Sequence, residues 1–457
     1  MSPTFRALRN PNYRLYLAGS VVSNVGTWMQ RVAQDWLVLH IPGNSGTELG
    51  ITTGLQFLPI LLLTPYAGVV ADRFPKRRLM QLAQAMMALT SLALGLVAVL
   101  GVAETWHVYL LALLFGVGAA FETPARQSFV SEMVGPDDLT NAVGLNSASF
   151  NAARVVGPAL AGVMIGALGG GPEATGWVIF INAFSYLAVI WQLQRMDTAL
   201  LRTPATRPRT PGMLREGVRY VRSQPVMILI LVLVFFAGTF GMNLQVNAAL
   251  MVTDVFDRGA SAFGLFGSAL AVGSLAGALA NARRTRIRLR LVLGAGIAFG
   301  VTCLVLGLLP TYWTFVAFAP VVGFAAITTL NSANATMQTE SDPLMRGRVM
   351  ALYFTIVMGG TPLGAPLMGW VGQHFGARWT FVLGGVLTTL GVLLATAVYV
   401  RLRGGVSGVL TGVEGAGSLG PRVWDNQAAP RARIQAGEHA PSSGAENPLD
   451  ETLTGSR

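Results

Sequence analysis

The sequence predicts an all-α membrane protein whose twelve crossings fall into two six-helix bundles. Three observations carry that expectation: too little charge for a water-facing shell, apolar runs of bilayer length along the chain, and arginines confined to alternate connections. Of 457 residues, 52% are hydrophobic and 12% are charged, where a soluble domain carries roughly 25% charged residues. The surplus apolar surface must meet lipid. This excludes a disordered, collagen-like or disulfide-stapled chain and argues against an ordinary soluble enzyme. The single cysteine, Cys303, sits in an apolar run, so no disulfide or cysteine-ligated metal forms within the chain. No cleavable leader is expected, because the first dozen residues are polar and basic.

A crossing helix takes about 20 mostly apolar residues. Charge-free runs of that size cover 79–103, 174–194, 223–253, 259–282, 349–377 and 379–400. The run 291–339 holds two helices with Pro310 at the break, and 49–71 ends at Asp72 and Arg73. Three further apolar segments, about 14–40, 106–128 and 142–169, carry a few charges each. Counted from a cytoplasmic N terminus, the inner connections hold 24 Lys and Arg residues and the outer ones two, Arg258 and Arg378. That asymmetry predicts a multi-pass protein of the plasma (inner) membrane with both termini cytoplasmic. It also accounts for the net charge of +11 without nucleic acid, which is not expected as a partner.

The expected organisation is an N-terminal bundle over 1–194, a cytoplasmic linker over 195–224, a C-terminal bundle over 225–403 and a tail over 404–457. In the linker, Arg215, Glu216, Arg219 and Arg222 alternate with Leu214, Val218, Tyr220 and Val221, the pattern of a short amphipathic helix on the inner membrane surface. The tail is rich in Gly, Ala, Ser and Pro and is expected to be disordered. A weak internal repeat links the halves. GVVAD at 68–72 matches GALAN at 277–281 (offset 209), Gly118 matches Gly323 (offset 205), and GPALAG at 157–162 matches GAPLMG at 364–369 (offset 207).

GVVADRFPKRR at 68–78 resembles the signature between helices two and three of the major facilitator superfamily, Gly-x-x-x-Asp-Arg-x-Gly-Arg-Arg. Gly68, Asp72, Arg73, Lys76 and Arg77 fall on its defined positions, and Pro75 stands at the second glycine. GPALAG is similar to the antiporter motif Gly-Pro-x-x-Gly-Gly through Gly157, Pro158 and Gly162, with Ala161 departing from it. TWMQRVAQDWLV, ETPARQSFV, RVVGPALAG and RGRVMALY resemble the enterobactin-exporter-like branch, and the likeness spans roughly 1–403. The resemblance implies the major facilitator fold and export, usually driven by proton entry. It also implies a cytoplasmic gate in which Asp72 pairs with arginines at its depth, with Arg126 nearby. On residues alone, those charges also read as ordinary inner-surface charges and a helix stop.

A charge at the centre of a membrane helix costs at least about 2.5–3.5 kcal/mol. Such groups are therefore expected to face a polar cavity and to pair. Gln30, Arg31, Gln34 and Asp35 share one face of the first crossing, with Arg31 and Asp35 at i,i+4. Glu122 and Arg126 repeat that spacing in the fourth crossing, and Arg154 falls near the midplane of the fifth. Two readings stand for Asp35 and Glu122. One makes them carriers of a coupling proton, since desolvation favours the protonated form and a nearby arginine the charged one. The other makes Arg31–Asp35 and Glu122–Arg126 static pairs. Arg154 either neutralises one of the acids, attracts an anionic part of a substrate, or is structural.

The second half carries only neutral polar groups inside its spans: Asn243, Gln245 and Asn247 in the seventh, and Asn331, Asn334 and Gln338 in the tenth. Asn243, Asn247, Asn331 and Asn334 are candidate substrate contacts, with interhelical hydrogen bonding as the plainer reading. The four histidines have no metal-ligand spacing and no Walker-type phosphate loop occurs, so no metal, cofactor or direct ATP use is expected. No nucleophile constellation points to an enzyme. The expected function is a monomeric secondary exporter of a small amphipathic or apolar molecule, such as a siderophore-like metabolite, a drug or a lipid-like compound, by proton antiport. An uncoupled facilitator, an importer, or a non-transporting sensor or scaffold are the alternatives.

Overall fold

A computed structural model describes residues 3–41, 43, 45–202, 213–284 and 288–403, all within a compact unit that spans Met1–Gly412. The tail from 404 and the linker stretch with Arg207 and Arg209 lie outside the described residues, as does the side chain of Asp72. Six long helices come first: α1 (Pro11–His40), α2 (Gly46–Arg73), α3 (Lys76–Val99), α4 (Thr105–Met133), α5 (Pro136–Ala167) and α6 (Pro172–Arg195). After the short α7 (Met213–Arg222) come α8 (Pro225–Phe236), α9 (Leu244–Leu250), α10 (Ala260–Ala282), α11 (Leu289–Leu308), α12 (Tyr312–Glu340), α13 (Arg346–Phe375) and α14 (Ala377–Arg403). No strand occurs among the described residues.

Local chemistry sets the ends. Asn10 caps α1 by accepting from the Tyr13 N–H at 3.0 Å, with Pro11 in the first turn where a missing N–H costs nothing. Ser45 and Glu48 form a capping box on α2, and Thr311 with Thr314 does the same on α12. Gly376, at φ +95°, allows α13 to turn directly into α14.

Eleven described stretches are long and apolar enough to cross a bilayer, with α8, α9 and their flanking turns counting as one stretch, Pro225–Val255. The twelfth crossing, α1, is as long but too polar for that test. Its polar residues Asn12, Asn24, Gln30, Gln34 and Asp35 are buried inside the protein, so lipid never meets them. Apolar side chains on the other helices point outward instead: Leu82 is 70% exposed and Leu89 65%. Such an apolar rim is stable only against acyl chains.

The seventh crossing is not the uninterrupted helix its charge-free run predicts. Two π-turns, Ala237–Gly241 and Met251–Val255, flank α9. The first lies where α13 presses backbone against backbone. Gly360 faces Gly238, and Gly364 leaves no room for a Cβ beside the Thr239 carbonyl. The Asn243 amide donates to that carbonyl at 2.7 Å, satisfying a group the widened turn releases.

Helices α1 to α6 pack among themselves, as do α8 to α14, and two seams join the groups: α2 with α13 and α5 with α10. Consecutive crossings alternate in direction, so the connections rich in arginine share a basic end and the others a far end. Both seams lie in the far-end halves of their helices. In one, Gly46 and Gly50 meet Gly369 and the Ala365 carbonyl, while Ser45 Oγ donates to Gln373 Oε1 at 2.7 Å. In the other, Gly162 and Gly264 touch, and Ser268 Oγ and Ser261 Oγ of α10 donate to the carbonyls of Val155 and Gly162 at 2.6 and 2.9 Å. The molecule is sealed at the far end.

The same contacts fix the repeat. Gly116 abuts the Gln56 carbonyl as Gly323 abuts that of Leu270, so the partner of Gly323 is Gly116, at an offset of 207, rather than Gly118. Gly50 and Gly264 oppose the carbonyls of Ala365 and Pro158, an offset of 214. Helix α10 ends sooner than α2, and the GVVAD and GALAN segments therefore sit at different depths.

The linker helix α7 was expected to lie on the bilayer; it docks on the second bundle instead. Val221 is buried with Met227, Val349 and Tyr353, Glu216 pairs with Arg348 at 2.7 Å, and the Tyr220 hydroxyl accepts from the Asp342 N–H at 3.1 Å.

Candidate functional site: a crevice between the bundles

Below the seal, two cavities meet around Trp28, Arg31 and Phe57, which line both. The central one, of about 170 Å³, is closed by Arg154 and Pro158 of α5, Met242 to Val246 of the broken crossing, and Leu270 of α10. The other, of about 340 Å³, runs through the first bundle toward the basic end past Asn24, Gln84, Glu122, Arg126 and Met80.

Arg31 and Arg154 approach one indole. Their guanidinium carbons stand 4.7 and 5.5 Å from the Trp28 ring centroid, and Arg31 is 5.3 Å from that of Phe57. Cation–π attraction partly replaces lost hydration. Among the described residues, neither arginine has a carboxylate within 4.0 Å, and Arg31 Nε is buried without a hydrogen-bond partner. The i,i+4 spacing of Arg31 and Asp35 therefore does not close into an ion pair. Asp35 is 7% exposed on the sealed side and lines neither cavity. Gln34, one residue before it, donates weakly to Gln56 Oε1 of α2 at 3.4 Å.

Glu122 does pair: its carboxylate is 3.1 Å from Arg126 Nε, and Arg126 also reaches Asn24 Oδ1 at 3.3 Å. Both side chains face the second cavity. Gln30 anchors a neutral network absent from the sequence-derived site, accepting from Ser91 Oγ at 2.7 Å and Asn182 Nδ2 at 2.5 Å. Asn182 in turn contacts the Tyr186 hydroxyl, which meets Thr27 Oγ1 at 3.0 Å. Asn182 and Ser185 were legible as polar residues inside a charge-free run; their partners were not.

The basic-end motif holds to its own bundle. Lys76 pairs with Glu132 at the end of α4, each side chain 11% exposed, and Arg77 donates to the Met196 carbonyl at 3.3 Å. Arg73 is exposed, and the backbone of Gly68 and Asp72 is helical. Gly157, Pro158 and Gly162 come together at the bundle interface: Gly157 packs on Trp28, the Pro158 carbonyl lies against Gly264, and Gly162 is in the α5–α10 seam. Of the four asparagines, Asn243 lines the central cavity, whereas Asn247, at 1% exposure, is buried beyond it. Asn331 and Asn334 line neither cavity, and Asn334 accepts from Gln338 at 2.6 Å.

Comparison with known proteins places this arrangement. The family described as transmembrane secretion effector (MFS_3) matches residues 2–406. A multidrug efflux pump, Tap, of Mycolicibacterium fortuitum is 29% identical over 378 residues, 80% of this chain and 91% of the relative. Macrolide efflux protein A of Streptococcus pyogenes is 23% identical over 81% of this chain and 91% of its own length. Among solved structures, a bacterial homologue of the human lysosomal transporter Spinster superposes with a TM-score of 0.66 at 15% identity, covering 85% of this chain and 96% of the other. That likeness is one of fold, the twelve-helix major facilitator arrangement.

Proposed function

Since this chain belongs to the transmembrane secretion effector family of major facilitator transporters, and so is a non-enzymatic, multi-pass membrane transporter of small molecules, we propose that it is a proton-coupled exporter of small amphipathic molecules. The relatives named as multidrug and macrolide efflux pumps support the outward direction and a drug-like substrate class. One observation carries the reading: a crevice sealed at one end by two glycine-lined seams, with Glu122 buried and Arg31, Arg126 and Arg154 half-buried along its walls.

In this reading the bundles of 1–194 and 225–403 rock about the crevice, and the linker with α7 rides on the second. The basic end faces the cytoplasm of a plasma membrane, as the arginine distribution argues, with both termini inside and one copy sufficing. Asp35 takes up a proton from outside when the far end opens. Glu122 exchanges it toward the cytoplasm, and its Arg126 partner holds the site when the proton is gone. Lys76, Arg77 and Arg73, with Asp72, close the basic end in the opposite state by changing partners. Asn243, with Asn247, Asn331 and Asn334 brought in by rocking, contacts substrate from the second half.

The experiment is flux in reconstituted vesicles with an acid interior, using a panel of fluorescent dyes and macrolides. Accumulation that requires the pH gradient is expected. Flux indifferent to collapse of the gradient, and surviving Asp35→Asn with Glu122→Gln, removes the coupling.

A further inference from the structure

The central cavity has an electrostatic sign. Two guanidiniums, Arg31 and Arg154, face one indole there, and no Asp or Glu is among the residues that line it. Arg31 Nε lacks a hydrogen-bond partner. Across the cavity, Asn243 is 4% exposed and donates its amide to the Thr239 carbonyl, a group that can only accept; this fixes the amide orientation. Its Oδ1 is left without a partner. Phe57, Met242 and Leu270 supply the apolar wall. Both guanidiniums are half-buried with no carboxylate within 4.0 Å among the described residues, Asp35 acting on Arg31 only from farther off. Desolvated cations so weakly compensated are costly, and a bound anion lowers that cost.

We infer that the central cavity binds an amphipathic organic anion, its carboxylate or equivalent group between Arg31 and Arg154 and its apolar body against Phe57 and Leu270, with Asn243 in the facing wall. The inference rests on the transporter reading and narrows it, because a cationic drug of the same size meets two like charges and no carboxylate.

The test uses three probes of one shape: 2-naphthoate, 2-naphthalenecarboxamide and 2-naphthylmethylammonium. Each is titrated calorimetrically into the purified full-length protein in lipid nanodiscs, with empty nanodiscs subtracted. Naphthoate is expected to bind at least tenfold tighter than the other two. Arg154→Gln and Arg31→Gln each weaken it about tenfold, which corresponds to about 1.4 kcal/mol, and Arg154→Lys recovers part of the loss. The lysine variant guards against misfolding, since a merely disordered site recovers nothing. Equal or tighter binding of the ammonium probe, or naphthoate binding untouched by Arg154→Gln, overturns the inference. Repeating the titration in phosphatidylglycerol and phosphatidylcholine nanodiscs separates sources: competition by phosphatidylglycerol identifies a lipid headgroup as the natural anion, and its absence a free solute. Export is read apart from binding. Naphthoate bound but never carried sinks the exporter reading and leaves the site, whereas ammonium carried and naphthoate unbound does the reverse.

Discussion

Glu122 and Asp35 were equivalent candidates as a pair of acids four residues from an arginine, yet the fold treats them differently. Glu122 is tied to Arg126 in a cavity, whereas Asp35 is sealed with no ion pair. Removing the Glu122 charge leaves Arg126 with Asn24 alone. Glu122→Gln is therefore expected to lower unfolding free energy by about 1–3 kcal/mol, visible as an earlier thermal transition in detergent. Asp35→Asn costs no ion pair, so its transition stays within error while gradient-driven flux is lost. A matching loss of stability in Asp35→Asn assigns that acid a structural role. The sequence placed these residues correctly inside spans, because intramembrane charge is rare enough to stand out. It did not reveal which pairs close. Spacing of i,i+4 permits contact, but side-chain direction and the helices opposite decide it: Arg31 turns to Trp28 and Phe57, groups contributed across and along the crevice.

At the scale of elements, close approach is achieved by glycine. Gly364 abuts the Thr239 carbonyl, and backbone yields less readily than a side chain. Gly364→Ala is expected to destabilise the protein by about 1–3 kcal/mol, where Gly294→Ala, with open space around it, costs nothing. Chemical denaturation of the two variants side by side checks this. Nine of the twelve crossings were readable from charge-free runs, and the three that carry charges, the polar α1 among them, were marked by their place in the alternation of arginines. The π-turns around α9 were not readable: Pro225–Val255 has no proline after its first residue and no charge before Asp254, and the widening at Ala237–Gly241 lies where α13 packs, more than a hundred residues away. The apolar face of α7 was visible too, but lipid and a second bundle are equally attractive to it, and only the Glu216–Arg348 pair and the Tyr220 contact show which one it meets.

For the molecule as a whole, the two seams make one end the fixed edge of the crevice in this state. Gly369→Ala places a methyl group against Gly46 and should loosen that edge. Spin labels at Leu168 and Asp257 report the far end, and labels at Ser131 and Leu344 the basic end. In Gly369→Ala the far-end distances are expected to lengthen and broaden while the basic-end ones shorten. Distances that move together at both ends count against rocking. The internal repeat relates the two seams to each other. Gly162 against α10 and Gly369 against α2 are equivalent contacts at an offset of 207, so strain entered on one side has a counterpart on the other.

Lys76 is the only lysine in the chain, and its ammonium is held by Glu132. Apart from the chain's N terminus, an amine-acylating reagent therefore has one target, and that target belongs to the segment proposed to change partners as the crevice reverses. The extent of Lys76 acylation, read by mass spectrometry on the intact protein, becomes a clock for the gate that needs no introduced label. Slow reaction is expected while the Glu132 pair stands, and faster reaction under whatever ligand or gradient breaks it.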